Sequence, residues 1–284
     1  MAAAGPPAVF AFSRPAVLLL GDSITQEGST AVGGWASALA GHFSRRADVL
    51  NRGLSGYNTR WASNVLDRCL APHESTVLAT VWYGANDAAD ATLNPRQHVP
   101  LDEYRKHLTN IVRRVRQRCD HVVVVSPPPI HEASYRAIFI EPRQGIGAPL
   151  DRSLEASRRY ADAAGQVAAA TSCAFIDLWA KVQAAAPAAE GSSDQPWGRF
   201  FYDGLHLSEE GNKLVFRELL ALVGERFPDL VVEPCCHTGK RDNSGSSCAA
   251  LRPHLPFHDA ISLENQGTIF GDGGASCPKR QKVA

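Results

Sequence analysis

No run of this 284-residue sequence approaches the apolar length that a membrane span needs, so stable membrane insertion is not expected. Neither charge is in surplus. The 29 Lys and Arg balance 29 Asp and Glu, which gives a formal net charge of zero. A nucleic acid or an acidic lipid surface finds no general attraction on such a chain. The group Arg113, Arg114, Arg116 and Arg118 reads as the solvated face of a helix. The opening Met1-Ala2-Ala3-Ala4-Gly5-Pro6-Pro7 has no basic n-region, and Ser13-Arg14-Pro15 breaks up the apolar residues behind it, so it does not read as a secretory leader. Seven cysteines make an odd number, without a C-x-x-C pair or the regular ligand spacing of a zinc site. Cys69, Cys119 and Cys173 stand singly, which suits reduced thiols and a cytoplasmic location. Internal repeats are also missing. Neither a metal nor an organic cofactor is expected, and oligomeric state is left open.

What the chain does have is alternation. Hydrophobic residues make up 44% of it, enough for one sizeable core. Short apolar runs bounded by turn formers read as buried parallel strands at Val17–Leu20, Asp48–Leu50, Val77–Tyr83, His121–Ser126 and Cys173–Leu178. Helical spacing separates them: Gly34 to Arg46, Thr59 to before Pro72, Leu101 to about Arg118, Leu154 to Ala170, and Ser208 to Phe227. Residues 127–153 and 184–195 read as irregular. Repeated strand–helix units predict a single α/β domain with a mainly parallel five-stranded sheet covered on both faces.

The polar residues fall where such a fold does its chemistry. Ser23 follows the first strand, Gly53 the second and Asn86 the third, while Asp203 and His206 follow the fifth and its loop. All should meet at the C-terminal rim of the sheet. A nucleophilic serine needs a base, and the base needs a group that fixes its tautomer; His206 and Asp203 can supply both from one turn. Ser23 N–H, Gly53 N–H and the Asn86 amide suit an oxyanion's need for preorganised donors. Each piece also has an ordinary structural reading. Ser23 can cap a helix, Gly53 can serve a turn, Asn86 an Asx loop, Asp203 a helix entry, and His206 can be a core histidine. Their occurrence in order, each behind a strand, favours a site.

Gly21-Asp22-Ser23-Ile24, Asn51-Arg52-Gly53, Gly84-Ala85-Asn86-Asp87 and Asp203-Gly204-Leu205-His206 resemble the four blocks of the SGNH (GDSL-type) hydrolases. The strings Gly53 to Trp61 and Asp203 to Gly211 are similar to the isoamyl acetate-hydrolysing esterase branch of that superfamily. The resemblance covers residues 16 to about 228. It implies a flavodoxin-like, three-layer α/β/α fold with Ser23 as nucleophile, His206 as base and Asp203 as orienting acid. The Ser23 and Gly53 N–H groups and Asn86 would form the oxyanion hole. The expected activity is serine esterase hydrolysis of short-chain, acetate-type carboxylic esters, with a small-molecule ester as the substrate. Acyl transfer or carbohydrate and lipid deacylation could use the same triad, with a non-catalytic scaffold as the remaining reading. Ile24, Tyr57, Trp61, Tyr83 and Leu205 could line an acyl pocket or belong to ordinary core packing. The expected organisation is a flexible N-terminus (1–15), the hydrolase domain (16–232) and an irregular, partly disordered C-terminal extension (233–284).

Overall fold

Val17 and Leu19 pack into the core on one side of strand β1 (Ala16–Gly21), Leu18 and Leu20 into the core on the other, and none is more than 3% exposed. A strand apolar on both faces must be covered on both, and it occupies the middle of a sheet. In the computed structural model, which describes residues 14–70, 75–186 and 195–232, β1 does so. It pairs with β2 (Asp48–Gly53) on one edge and β3 (Thr76–Trp82) on the other, and β4 (Cys119–Val125) and β5 (Ala174–Ile176) continue the sheet. The order is β2-β1-β3-β4-β5, and every pairing is parallel. This is the flavodoxin-like order, whose ligand crevice lies where the chain reverses direction between β1 and β3.

The helices, in chain order, are α1 (Ser23–Glu27), α2 (Trp35–His42), α3 (Thr59–Cys69), α4 (Leu101–Arg116), α5 (Glu132–Tyr135), α6 (Glu141–Gln144), α7 (Leu154–Ala170), α8 (Leu178–Ala184) and α9 (Glu209–Arg226). Helices α2, α8 and α9 cover one face of the sheet around Trp35, Leu39, Leu178 and Leu219. Helices α3, α4 and α7 cover the other around Leu66, Leu108, Ile111 and Val167. Local chemistry places several starts: Asn58, Ser153 and Ser208 accept hydrogen bonds from the first turns of α3, α7 and α9. In α4, Asp102 and Glu103 open the helix while Arg113, Arg114 and Arg116 close it, as the helix dipole favours.

The structure differs from the sequence reading in the last third of the sheet. β5 is only three residues long; Asp177 caps a helix there, and Leu178, read as the end of a strand, begins α8. The apolar run simply continues across the boundary. Residues 132–144, expected to be irregular, form α5, a π-helical turn at Arg136–Ile140, and α6. The expectations for residues 1–13, 187–194 and the extension 233–284 lie outside the described residues.

Candidate active site

Gly21, the last residue of β1, is level with Gly53 on β2 and Trp82 on β3, so the three following loops leave the sheet at one height. Asp22 caps α1 by accepting the Ile24 N–H at 3.0 Å, which places Ser23 at the first helical position. The Ser23 N–H therefore lies outside the i→i−4 ladder and is free to meet a ligand.

Asp203 and His206 arrive from a tight reversal closed by a bridge between Phe201 and Leu207 and by the Tyr202 N–H to the His206 carbonyl. Gly204 makes the reversal possible. Its φ is +92°, and a Cβ there would lie 2.4 Å from the Tyr135 nitrogen. Asp203 Oδ1 accepts the N–H groups of Leu205 (2.9 Å) and His206 (2.7 Å), leaving Oδ2 to accept the His206 Nδ1–H at 2.6 Å. A carboxylate only accepts, so the proton sits on Nδ1 and the Nε2 lone pair faces outward. The Ser23 hydroxyl meets it at 2.9 Å. This arrangement can move a proton from Oγ to the imidazole and back.

The surrounding charges support that tautomer. Burial pushes the Asp203 carboxyl up, but the His206 hydrogen bond and charge outweigh it and hold the group below its ordinary range. Burial pushes His206 down, but Asp203, with help from Glu27 and Asp22, raises it above the ordinary 6.5. Glu27 Oε1 stands 3.9 Å from Nε2, while its Oε2 accepts the Tyr202 hydroxyl at 3.0 Å. The Tyr202 ring stacks on the imidazole at 5.8 Å, and Phe139, from the π-helical turn, stands 6.4 Å from it. Burial lifts both Asp22 and Asp87 to about 7.

Asn86 is buried, with its carbonyl oxygen accepting from Gln97 Nε2 (3.0 Å) and Arg152 Nη2 (3.1 Å). Its Nδ2 donates one hydrogen to the Tyr57 carbonyl at 3.0 Å, and among the described residues none takes the other. Gly53 packs on the start of α1 so closely that a Cβ would lie 2.2 Å from the Gln26 nitrogen. Its N–H donates to Asn51 Oδ1 at 2.8 Å, and Asn51 in turn donates to the Thr25 carbonyl at 2.6 Å and to Ser29 Oγ at 2.7 Å.

Of the pocket-lining candidates, Ile24, Tyr83 and Leu205 are core residues, no more than 6% exposed. Tyr57 and Trp61 are half-buried and meet edge to face. Among the described residues, the large exposed apolar side chains are Val32, Leu93, Ile138, Ile146 and Tyr202. Val32 lies between β1 and α2, Leu93 between β3 and α4, Ile138 and Ile146 between β4 and α7, and Tyr202 between α8 and α9, where its ring stacks on the imidazole. No group of His, Cys, Asp or Glu among the described residues could hold a metal ion, and no helix among them is long and apolar enough to cross a membrane.

Sequence reasoning missed Asn51, Gln97, Arg152, Glu27 and Tyr202. Asn51 had a signal, since an Asn two residues before a turn glycine commonly bonds its N–H. Arg152 had none: it lies in a segment without periodicity, far along the chain from Asn86.

Comparison with known proteins points to one family. The family model of the GDSL-like lipase/acylhydrolases matches residues 19–214. An isoamyl acetate-hydrolyzing esterase 1 homolog from Mus musculus is 39% identical over 222 residues, covering 76% of this chain and 84% of that protein. A GDSL esterase/lipase of Arabidopsis thaliana is 39% identical over 215 residues, covering 72% of this chain and 84% of that protein. Among solved structures, the acetylxylan esterase Axe2 from Geobacillus stearothermophilus superposes with a TM-score of 0.57 at 20% identity, covering 75% of this chain and 95% of that one. A lipase/acylhydrolase from Enterococcus faecalis gives 0.56 at 18% identity, over 75% and 96% of the two chains.

Proposed function

The chain belongs to the GDSL-like lipase/acylhydrolase family and is a carboxylic ester hydrolase; from that premise we propose that it works through an acyl-enzyme on Ser23 and acts on small, acetate-type esters. The observation that carries the mechanism is the unbroken relay from Asp203 Oδ2 through His206 to Ser23 Oγ, at 2.6 and 2.9 Å. Ser23 Oγ attacks the ester carbonyl as its proton passes to Nε2. The carbonyl oxygen becomes an oxyanion held by the Ser23 N–H and Asn86 Nδ2, and the Gly53 N–H, which donates to Asn51 Oδ1 in the free enzyme, can share its hydrogen with it as a third donor. The C–O bond to the alcohol then breaks, and the leaving oxygen takes the proton from Nε2. Water next gives a proton to Nε2 while its oxygen attacks the acyl carbon, and Ser23 recovers its proton as the acid departs.

Preference for apolar, uncharged esters is supported by the Tyr202 and Phe139 rings near the imidazole and by Glu27 beside it, which repels an anionic substrate. The esterase homologs named for isoamyl acetate support a short acyl group. Unpaired Cys69, Cys119 and Cys173 support a reducing, cytoplasmic setting.

The test is hydrolysis of p-nitrophenyl esters from acetate to palmitate, by wild type and Ser23→Ala, with fluorophosphonate labelling of each. Wild type should peak at short chains and take the label. Ser23→Ala should lose about 10⁴-fold or more in kcat and take none. Full activity in Ser23→Ala would overturn the mechanism, and a long-chain optimum would overturn the substrate class alone.

A further inference from the structure

Arg152 is a buried charge that the reaction as described does not use. It precedes α7 and meets the carbonyl end of the Asn86 amide. A guanidinium has five N–H donors, and all five are engaged within the protein. Nε donates to the Ala85 carbonyl (3.2 Å), Nη1 to the Tyr135 hydroxyl (2.8 Å) and Asp151 Oδ2 (3.0 Å), and Nη2 to Asn86 Oδ1 (3.1 Å) and Gln97 Oε1 (2.7 Å). No donor remains for a substrate, so any effect on the reaction must pass through a neighbour.

We propose that Arg152 is a positioning residue that acts through Asn86, fixing which way its amide faces and strengthening its free N–H as an oxyanion donor. The inference rests on the role proposed above for Asn86. An asparagine amide can face either way, and the two ends differ in kind: one accepts, the other donates. Arg152 can only donate, so the end it touches must be the carbonyl. Gln97 is fixed by the same logic, because its Oε1 accepts from Arg152 and from Asn94 (2.9 Å), leaving Nε2 to donate to Asn86 Oδ1 and to the Gly56 carbonyl (3.0 Å). The cation therefore sets two amides at once, and the second ties the β2 loop to the β3 loop. With Oδ1 held by two donors, Nδ2 gives one hydrogen to the Tyr57 carbonyl and keeps the other for the oxyanion of the proposed reaction. A full positive charge on the carbonyl also draws electron density from the amide nitrogen, so its N–H bonds an anion more strongly. A neutral ester carbonyl gains little from this and the oxyanion gains more, which is the condition for raising kcat rather than lowering KM.

The experiment is a double-mutant cycle on p-nitrophenyl acetate with wild type, Arg152→Gln, Asn86→Ala and the double variant, each checked for a cooperative thermal transition. Arg152→Gln should lower kcat roughly ten- to a hundredfold with KM nearly unchanged, somewhat less than the loss from removing a donor outright. In the Asn86→Ala background the same substitution should change kcat by less than about threefold, because its intermediary is gone. Arg152→Lys keeps the charge without the fork and should recover part of kcat; it also replaces Arg152→Gln in the cycle if that variant does not fold. Equal losses in both backgrounds, or a rise in KM with kcat preserved, would overturn the inference. Ser23→Ala, assayed alongside, separates the two readings: activity there sinks the acyl-enzyme mechanism, whereas additive losses in an otherwise Ser23-dependent enzyme sink only the role of Arg152.

Discussion

Asp203 divides its two oxygens between the backbone of its own turn and the imidazole, so one side chain sets both the position and the tautomer of His206. Asparagine at this position could keep the backbone contacts through its carbonyl, but it would present N–H to Nδ1 and favour the wrong tautomer. Asp203→Asn should lower kcat on the order of a thousandfold or more while the fold persists. The pH profile should move with it. The base must be neutral to work, and Asp203 raises the His206 pKa above its ordinary value, so the wild-type acidic limb of kcat/KM should lie above 6.5. Removing the carboxylate removes the main force raising it, and the limb should shift to lower pH in the residual activity. A limb that stays in place would assign the titration to another group. The same charge distribution bears on stability. A histidine with a raised folded pKa stabilises the fold below its unfolded pKa and loses that contribution as pH rises through the folded value. Asp203, held low, contributes above its unfolded pKa and loses it as pH falls through its folded value.

The turn that carries Asp203 and His206 is as much a part of the site as the side chains. Gly204 sits at φ +92°, and any Cβ there meets the backbone at Tyr135 and His131. Gly204→Ala should lower the melting temperature and cut kcat at least about a hundredfold, since a small displacement of the turn breaks the His206–Ser23 contact. Thermal melting and steady-state kinetics on the same preparation check both. Unchanged kinetics would mean that the turn adapts without moving the imidazole. Elements of this kind were legible where a local rule fixes them. The β1 run ending at Gly21 announced a strand and a turn, and Asp203-Gly204 announced a reversal before a helix. The 127–153 segment was illegible because its helical turns are too short for periodicity and are held by tertiary contacts, including Arg136 to the Ala148 carbonyl and Glu132 to the Leu154 N–H. Arg152 and its contacts were hidden for the same reason. Its partners lie at 85, 86, 97, 135 and 151, a set that only the folded chain assembles.

Across the whole molecule, chemistry and stability are separated in space. The apolar clusters fill both faces of the sheet, while the reacting groups gather along one edge. A cavity in a core layer should therefore weaken the fold without touching the rate. Leu39 of α2, fully buried against the β1 face, is a suitable probe. Leu39→Ala should cost about 3 kcal/mol in denaturant unfolding, with kcat on p-nitrophenyl acetate unchanged at temperatures where the protein is folded. A matching loss of kcat would show that α2 supports the site directly. The layered α/β architecture was readable because alternating strand and helix patterns admit few packings. The strand order was expected from the resemblance; periodicity alone does not specify which strands adjoin.

That separation extends to the outer surface. Val32, Leu93, Ile138 and Ile146 lie on connections that follow the C-terminal ends of β1, β3 and β4, and Tyr202 lies on the imidazole itself. Among the described residues, the large exposed apolar side chains therefore favour the catalytic end of the sheet. An oil droplet, a foam film or a polystyrene wall is expected to meet that end first, and enzyme held so would have its site turned toward the surface that holds it. Activity lost to a plastic tube in dilute solution would then be a matter of orientation, recoverable by a trace of mild detergent, with every hydrogen bond of the relay still in place.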